Sequence, residues 1–173
     1  MNKQIQSLGA FNNHVSKTGR NLAGIFLIAM TIIILIQIIS RYIFNNPFGW
    51  TEELSKALMV WTAFLVAPWS YRAGALVSID FFAEAMPARF RQISGIIITL
   101  LCLWIIGILF MESLGFVLGG IGTKAASLPV PVSLFYAITP VSFASLFLVG
   151  IEHLARGIDE ITRPQPPQNN KTD

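Results

Sequence analysis

Three stretches of this chain, Leu22–Phe44, Ile93–Leu114 and Val130–Leu154, each run for more than 20 residues with almost no charge. A helix rises about 1.5 Å per residue, so roughly 20 apolar residues cross the ~30 Å hydrocarbon core of a bilayer. The apolar residues lie in blocks and are not diluted by polar ones in the period of a half-buried helix or strand. Blocks of this kind belong in lipid. Composition agrees: 54% of the 173 residues are hydrophobic and 12% charged, against roughly 25% charged in an ordinary soluble domain. Too few polar side chains remain to cover a water-soluble surface.

A fourth, shorter block runs from Leu54 to Tyr71, with Lys56 near one end, Arg72 just beyond the other and Pro68 inside. Proline is tolerated in a membrane helix when a neighbour satisfies the carbonyl it frees. Asn45-Asn46-Pro47-Phe48-Gly49 reads as the turn before this block. Thr51 reads as its helix cap, Glu52 and Glu53 as acids at the positive end of the dipole, and Trp50 as an interfacial anchor. The basic start of the chain is not a secretory signal, because the first block is too long and lacks a small-residue cleavage site.

Between the Leu54–Tyr71 and Ile93–Leu114 blocks, Phe81, Phe82, Ala85 and Met86 recur at spacings that give one apolar face, while Asp80 and Glu84 fall elsewhere. This predicts a short amphipathic helix lying in the interface and ended by Pro87. The expected fold is therefore an all-α integral membrane protein with four transmembrane helices and one interfacial helix. Its predicted divisions are a polar cytoplasmic tail over 1–20, a membrane domain over 21–156 and a disordered cytoplasmic tail over 157–173.

Four spans put both termini on one side. Nine basic residues then fall on that side (Lys3, Lys17, Arg20, Arg72, Arg89, Arg91, Arg156, Arg163, Lys171) and three on the other (Arg41, Lys56, Lys124). Lys and Arg are retained in the cytoplasm, so both termini are expected there. The net charge of +3 is small and scattered, which gives no nucleic-acid surface. Cys102 is a lone thiol, and His14, in the polar start, and His153, near the last helix end, cannot form a haem-ligand pair within the bilayer. No spacing suits a metal, a nucleophile or a phosphate loop. The chain is expected to be no enzyme and to carry no cofactor. Glu112 is an acid within the third span, where a carboxylate is a candidate functional group, although its proximity to Gly115 and Gly119-Gly120 favours a place near the external interface.

Arg41-Tyr42, Trp50-Thr51-Glu52-Glu53-Leu54, Val60-Trp61, Phe64-Leu65, Arg72, Gly74-Ala75, Ile79-Asp80 and Pro87 follow one another in a particular order and spacing. With Leu128-Pro129, Tyr136 and Pro140 later on, the pattern resembles the small membrane subunit (DctQ-type) of tripartite ATP-independent periplasmic (TRAP) transporters. Val66 and Leu76 depart from it, standing where the family commonly has Gly and His. The resemblance implies a scaffold or accessory subunit of a sodium-coupled, binding-protein-dependent transporter for organic acids in the bacterial inner membrane. It implies two protein partners, a large polytopic subunit and a periplasmic substrate-binding protein, besides membrane lipids. Arg41, Trp50, Glu52, Glu53 and Lys56 are the expected external docking cluster, Arg72 and Asp80 the expected supports of the cytoplasmic connection. Phe81, Phe82 and Met86 would seat the interfacial helix. The alternative is a small autonomous transporter acting as a homo-oligomer.

Overall fold

A computed structural model describes residues 3–46, 48–74 and 88–162. All its regular elements are helices: α1 (Lys3–Tyr42), α2 (Gly49–Arg72), α3 (Ala88–Gly119), α4 (Val132–Tyr136) and α5 (Ile138–Thr162). Three segments among the described residues are long and apolar enough to cross a membrane: Gly9–Tyr42, Ile93–Gly119 and Val132–Asp159, the last joining α4 and α5. The 24 residues of α2 are long enough at about 1.5 Å each, but Glu52, Glu53, Lys56 and Arg72 dilute them. The segment expected to form the interfacial helix, with Asp80, Phe81, Phe82 and Met86, lies outside the described residues.

The polar start of the chain is helical and continuous with the first apolar block. Forty residues make α1, or about 60 Å of helix, which is longer than a whole bilayer is thick. It packs along α2 in the opposite direction. The buried edge of α1 carries Asn12, Ser16, Gly19, Ala23, Phe26, Met30, Ile33, Gln37 and Ser40, alternating steps of four and three residues. That period makes a continuous seam on a helix. At Gly19 the seam touches backbone: a Cβ there would stand 2.8 Å from the carbonyl oxygen of Leu65. The close approach of the two helices therefore uses a glycine of α1, although α2 carries Val66 beside the contact.

Among the described residues the buried set includes Ala23, Pro68, Leu103, Ile138 and Val149 as apolar side chains, against eight polar or charged ones. Apolar burial drives little in lipid, where helices associate by close packing and hydrogen bonds. Two proline sites show how. Pro68 has no N–H for the Phe64 carbonyl one turn earlier, and the Ser142 hydroxyl of α5 donates to that oxygen at 2.6 Å. Pro140 likewise frees the Tyr136 carbonyl near the break between α4 and α5, and the Thr139 hydroxyl donates to it at 2.7 Å. The adjacent Phe135 carbonyl accepts from the Trp61 indole at 3.1 Å.

The turn into α2 differs from the sequence expectation. Asn45 takes a left-handed backbone conformation (φ 48°), which Asn tolerates better than most residues, and the Ser40 hydroxyl donates to the Asn46 carbonyl. Helix α2 already begins at Gly49, after Phe48. Thr51 is thus not the cap; it lies inside the first turn, wholly buried, and its hydroxyl donates to the Phe48 carbonyl at 2.6 Å. At the far end Gly74 (φ 72°) closes α2 in the left-handed conformation that favours glycine.

Candidate functional site

Two polar clusters sit at opposite ends of the bundle. The first gathers where α1 begins and α2 and α5 end. Glu152 of α5 is 3% exposed and engages three partners. Its Oε2 accepts from the Asn12 amide of α1 at 2.9 Å, and its Oε1 accepts from Arg72 of α2 at 3.1 Å and from Arg156 one turn further along α5. The Asn12 amide also donates to the Leu148 carbonyl at 3.2 Å. A carboxylate this buried is stable only when paired and hydrogen-bonded, and here three helices supply the partners. Gly9 leaves them room: a Cβ on it would lie 3.0 Å from Glu152 Oε1. Around the cluster, Tyr71 and His153 pair their rings at 5.4 Å, and the Arg20 guanidinium covers the Trp69 ring at 5.3 Å.

Reading the sequence singled out Arg72 here but missed Glu152 and Asn12. The missed signal was an acid in the Val130–Leu154 block, four residues before Arg156. Asp80, named with Arg72, lies outside the described residues.

The second cluster is built at the start of α2. Arg41, Trp50, Glu52 and Lys56 are all exposed, and Glu52 pairs with Lys56 at 2.7 Å. The Lys56 hydrogen bond, and then its charge, hold the Glu52 carboxyl below its usual value, with Arg41 adding a smaller pull. A depressed carboxyl stabilises the fold above its unfolded pKa and ceases to do so as pH falls through the lowered one. The pair is therefore complete at neutral pH.

Glu53 behaves differently. Its two carboxylate oxygens accept the backbone N–H groups of Ala126 at 2.9 Å and Ser127 at 2.8 Å, so it faces the α3–α4 loop and not Lys56. That loop is folded on itself: Ala125 donates to Val130 at 3.0 Å, and Val132 to Thr123 at 2.9 Å. Gly49 lies against Ser127. Glu53→Ala is expected to free both amides while leaving the helices folded. Hydrogen bonds to a charged group contribute about 1.5–3 kcal/mol, so amide exchange at Ala126 and Ser127 should speed by about tenfold or more, with a smaller change in thermal stability. Unchanged exchange there would show that the loop holds without Glu53.

No group of three metal-ligating side chains lies together among the described residues. Glu112 is exposed on α3 and lines an open groove of about 430 Å³ with Gly115, Phe116, Thr123 and Tyr136.

Residues 30–160 match the family described as tripartite ATP-independent periplasmic transporters, DctQ component. The chain is 34% identical over 128 residues to the sialic acid TRAP transporter permease protein SiaT of Haemophilus influenzae (strain 86-028NP), a match covering 68% of this chain and 21% of that protein. It is 26% identical over 137 residues to the isethionate TRAP transporter permease protein DctMQ of Oleidesulfovibrio alaskensis, covering 75% of this chain and 22% of the relative. A third similarity, 26% over 82 residues, is to the C4-dicarboxylate TRAP transporter small permease protein DctQ of Vibrio cholerae, covering 47% of this chain and 35% of that one. The matched stretch thus spans only about a fifth of the length of the first two relatives.

Proposed function

The chain belongs to the DctQ component family of tripartite ATP-independent periplasmic (TRAP) transporters and is a small permease subunit of that kind, and from that premise we propose that it is the static scaffold of a sodium-coupled, binding-protein-dependent carrier for organic acids. One observation carries the reading. In the SiaT and DctMQ relatives the stretch similar to this chain is about a fifth of a much longer permease. The remaining four-fifths correspond to the large polytopic subunit with which this chain assembles. A periplasmic binding protein delivers substrate to the pair. The relatives are named for sialic acid, isethionate and C4-dicarboxylates, all organic acids, which supports the substrate class. Family membership does not favour an autonomous transporter.

Within this reading α2 is the fourth span, the segment with Phe81, Phe82 and Met86 is interfacial, and Asp80 supports the cytoplasmic connection beside Arg72. The chain resides in the bacterial inner membrane with the Glu152 end of the bundle cytoplasmic, a 1–20 segment and a 157–173 tail on that side, and 21–156 as the membrane domain. Arg41, Trp50, Glu52 and Lys56 face the periplasm as the docking surface, and Glu53 shapes the loop beside them. The basic asymmetry supports this orientation. Reporter fusions after Lys17 and after Arg156 should both read cytoplasmic, and an insertion near Asn46 periplasmic. A periplasmic reading after Arg156 would invert the docking surface.

The decisive test is reconstitution. Alone in vesicles the chain should move no organic acid. With the large subunit and the binding protein it should support sodium-dependent uptake, and omitting it should abolish that uptake. Transport by the isolated chain, or full uptake without it, would overturn the scaffold role.

A further inference from the structure

Glu112 carries a charge on the wrong side of its helix for a chain that ends at its own surface. Helix α3 packs on α4 and α5, and Ser113, the next residue, is buried toward them. Glu112 itself is exposed and makes no hydrogen bond or ion pair with a described residue. Its neighbours on the open face are apolar: Trp104 is 67% exposed and Met111 68%.

Its depth follows from the contacts around it. Phe116 meets Tyr136 edge to face, with ring centroids 6.2 Å apart, and the adjacent Phe135 carbonyl meets the Trp61 indole. Phe116 and Trp61 are therefore at about one level. Trp61 lies five residues inside Lys56 and Glu112 four residues inside Phe116, which together place Glu112 roughly 13 Å below Lys56 along the bundle. With Lys56 taken at the edge of the bilayer, that depth lies within the apolar zone. Ionisable side chains at such depth face a protein partner or a water-filled cavity, not lipid.

The surface around Glu112 is shaped to receive a helix. It forms the ridge between two open grooves, the one of about 430 Å³ toward α4 and another of about 450 Å³ toward Phe147 of α5. Gly115 and Gly119 lie one and two turns further along the same face, with open space where a Cβ would stand. Small residues let a second backbone come close, and a polar side chain beside them supplies an interhelical bond. Neither the glycines nor the grooves would identify an occupant without the unpaired carboxylate, which sets the chemistry.

Resting on the subunit role proposed above, we infer that the Glu112 face of α3 is the seat of a transmembrane helix of the large subunit, which presents an Arg or Lys to Glu112 within the membrane. The pair neutralises both charges, and the two grooves take apolar side chains flanking that base.

The test uses the complex. The tagged chain is co-expressed with its large subunit and purified in mild detergent, with a photo-crosslinking residue placed at Met111 or, on the outer face of α1, at Leu35. Met111 should crosslink to the large subunit and Leu35 should not. Glu112→Leu should lower recovery of the large subunit by about tenfold, the size of one polar interhelical contact in a membrane, with a smaller loss for Glu112→Gln. The isolated Glu112→Leu chain should melt no lower than wild type, because an unpaired carboxylate has been replaced by an apolar group. That separates lost assembly from lost folding. Full recovery with Glu112→Leu, or crosslinks from Met111 only to lipid or to a second copy, would overturn this assignment while leaving the subunit role intact. If wild type recovers no large subunit at all, the role fails and the inference with it.

Discussion

Replacing Glu152 with alanine is expected to destabilise the bundle by about 3–5 kcal/mol, the range for breaking a buried ion pair from one side. The loss is large because Glu152 is almost fully buried and serves three helices at once. Its removal leaves Arg72 facing no anion and strands the Asn12 amide with only the Leu148 carbonyl. Arg72 is 22% exposed at its side chain and Arg156 54%, so the two arginines do not weigh equally. Arg156→Ala should cost no more than about 1 kcal/mol, as solvent-screened pairs do, whereas Arg72→Ala should approach the Glu152 loss. Thermal unfolding in mild detergent, with folded yield beside it, reads both. A combined Asn12→Leu, Arg72→Met and Glu152→Leu variant should recover much of the stability, since removing a whole buried network is less harmful than orphaning one member. Equal melting of Glu152→Ala and wild type would mean that the cluster does not hold these ends together.

The second large effect is expected at Gly19. Its α-carbon passes so near the Leu65 carbonyl that a methyl group would stand 2.8 Å from that oxygen. The obstacle is backbone of α2, which no rotamer change removes, so α1 has to move away. Overpacking of this kind typically costs about 1–3 kcal/mol, and Gly19→Val should exceed Gly19→Ala. The displacement also reaches the Asn12–Glu152 bond, because Asn12 lies seven residues earlier on the same seam. Gly24→Ala supplies the control on the same helix. Nothing lies within 4 Å of a Cβ there, and alanine is the better helix former by about 1 kcal/mol, so its melting temperature should hold or rise. If Gly19→Ala also held, the contact with Leu65 would not govern the packing of α1 on α2.

Much of the architecture was legible because its physics is local. Blocks such as Leu22–Phe44 and Ile93–Leu114 are long and apolar, and in a medium without water a chain segment has to satisfy its own backbone polar groups. The observed helices cover the first block as far as Tyr42 and the whole of the second. Pro68 announces a carbonyl without a partner for the same reason. The seam from Asn12 to Ser40 could also have been found, since small and polar residues recur there in alternating steps of four and three. It was hidden by treating the first 20 residues as a tail. The Glu52–Lys56 pair was readable from its spacing alone, and the helix start was misplaced by three residues because Thr51 is a good cap by type.

Which distant group answers which local need was a tertiary matter. Pro68 says that the Phe64 carbonyl needs a donor, but only the packing of α5 on α2 selects Ser142, 78 residues away. Glu53 had a base within reach on its own helix and instead holds two amides of a loop 73 and 74 residues later. Two backbone N–H groups pointing the same way match both oxygens of one carboxylate, and the fold alone creates such a pair. Glu152 and Glu112 make the contrast clearest. Both are acids in apolar helices, yet one is enclosed by Asn12, Arg72 and Arg156 and the other is left on an outer face. Lipid is as apolar as a helix surface, so hydropathy locates the helices without ranking their faces. The contacts between helices make that choice.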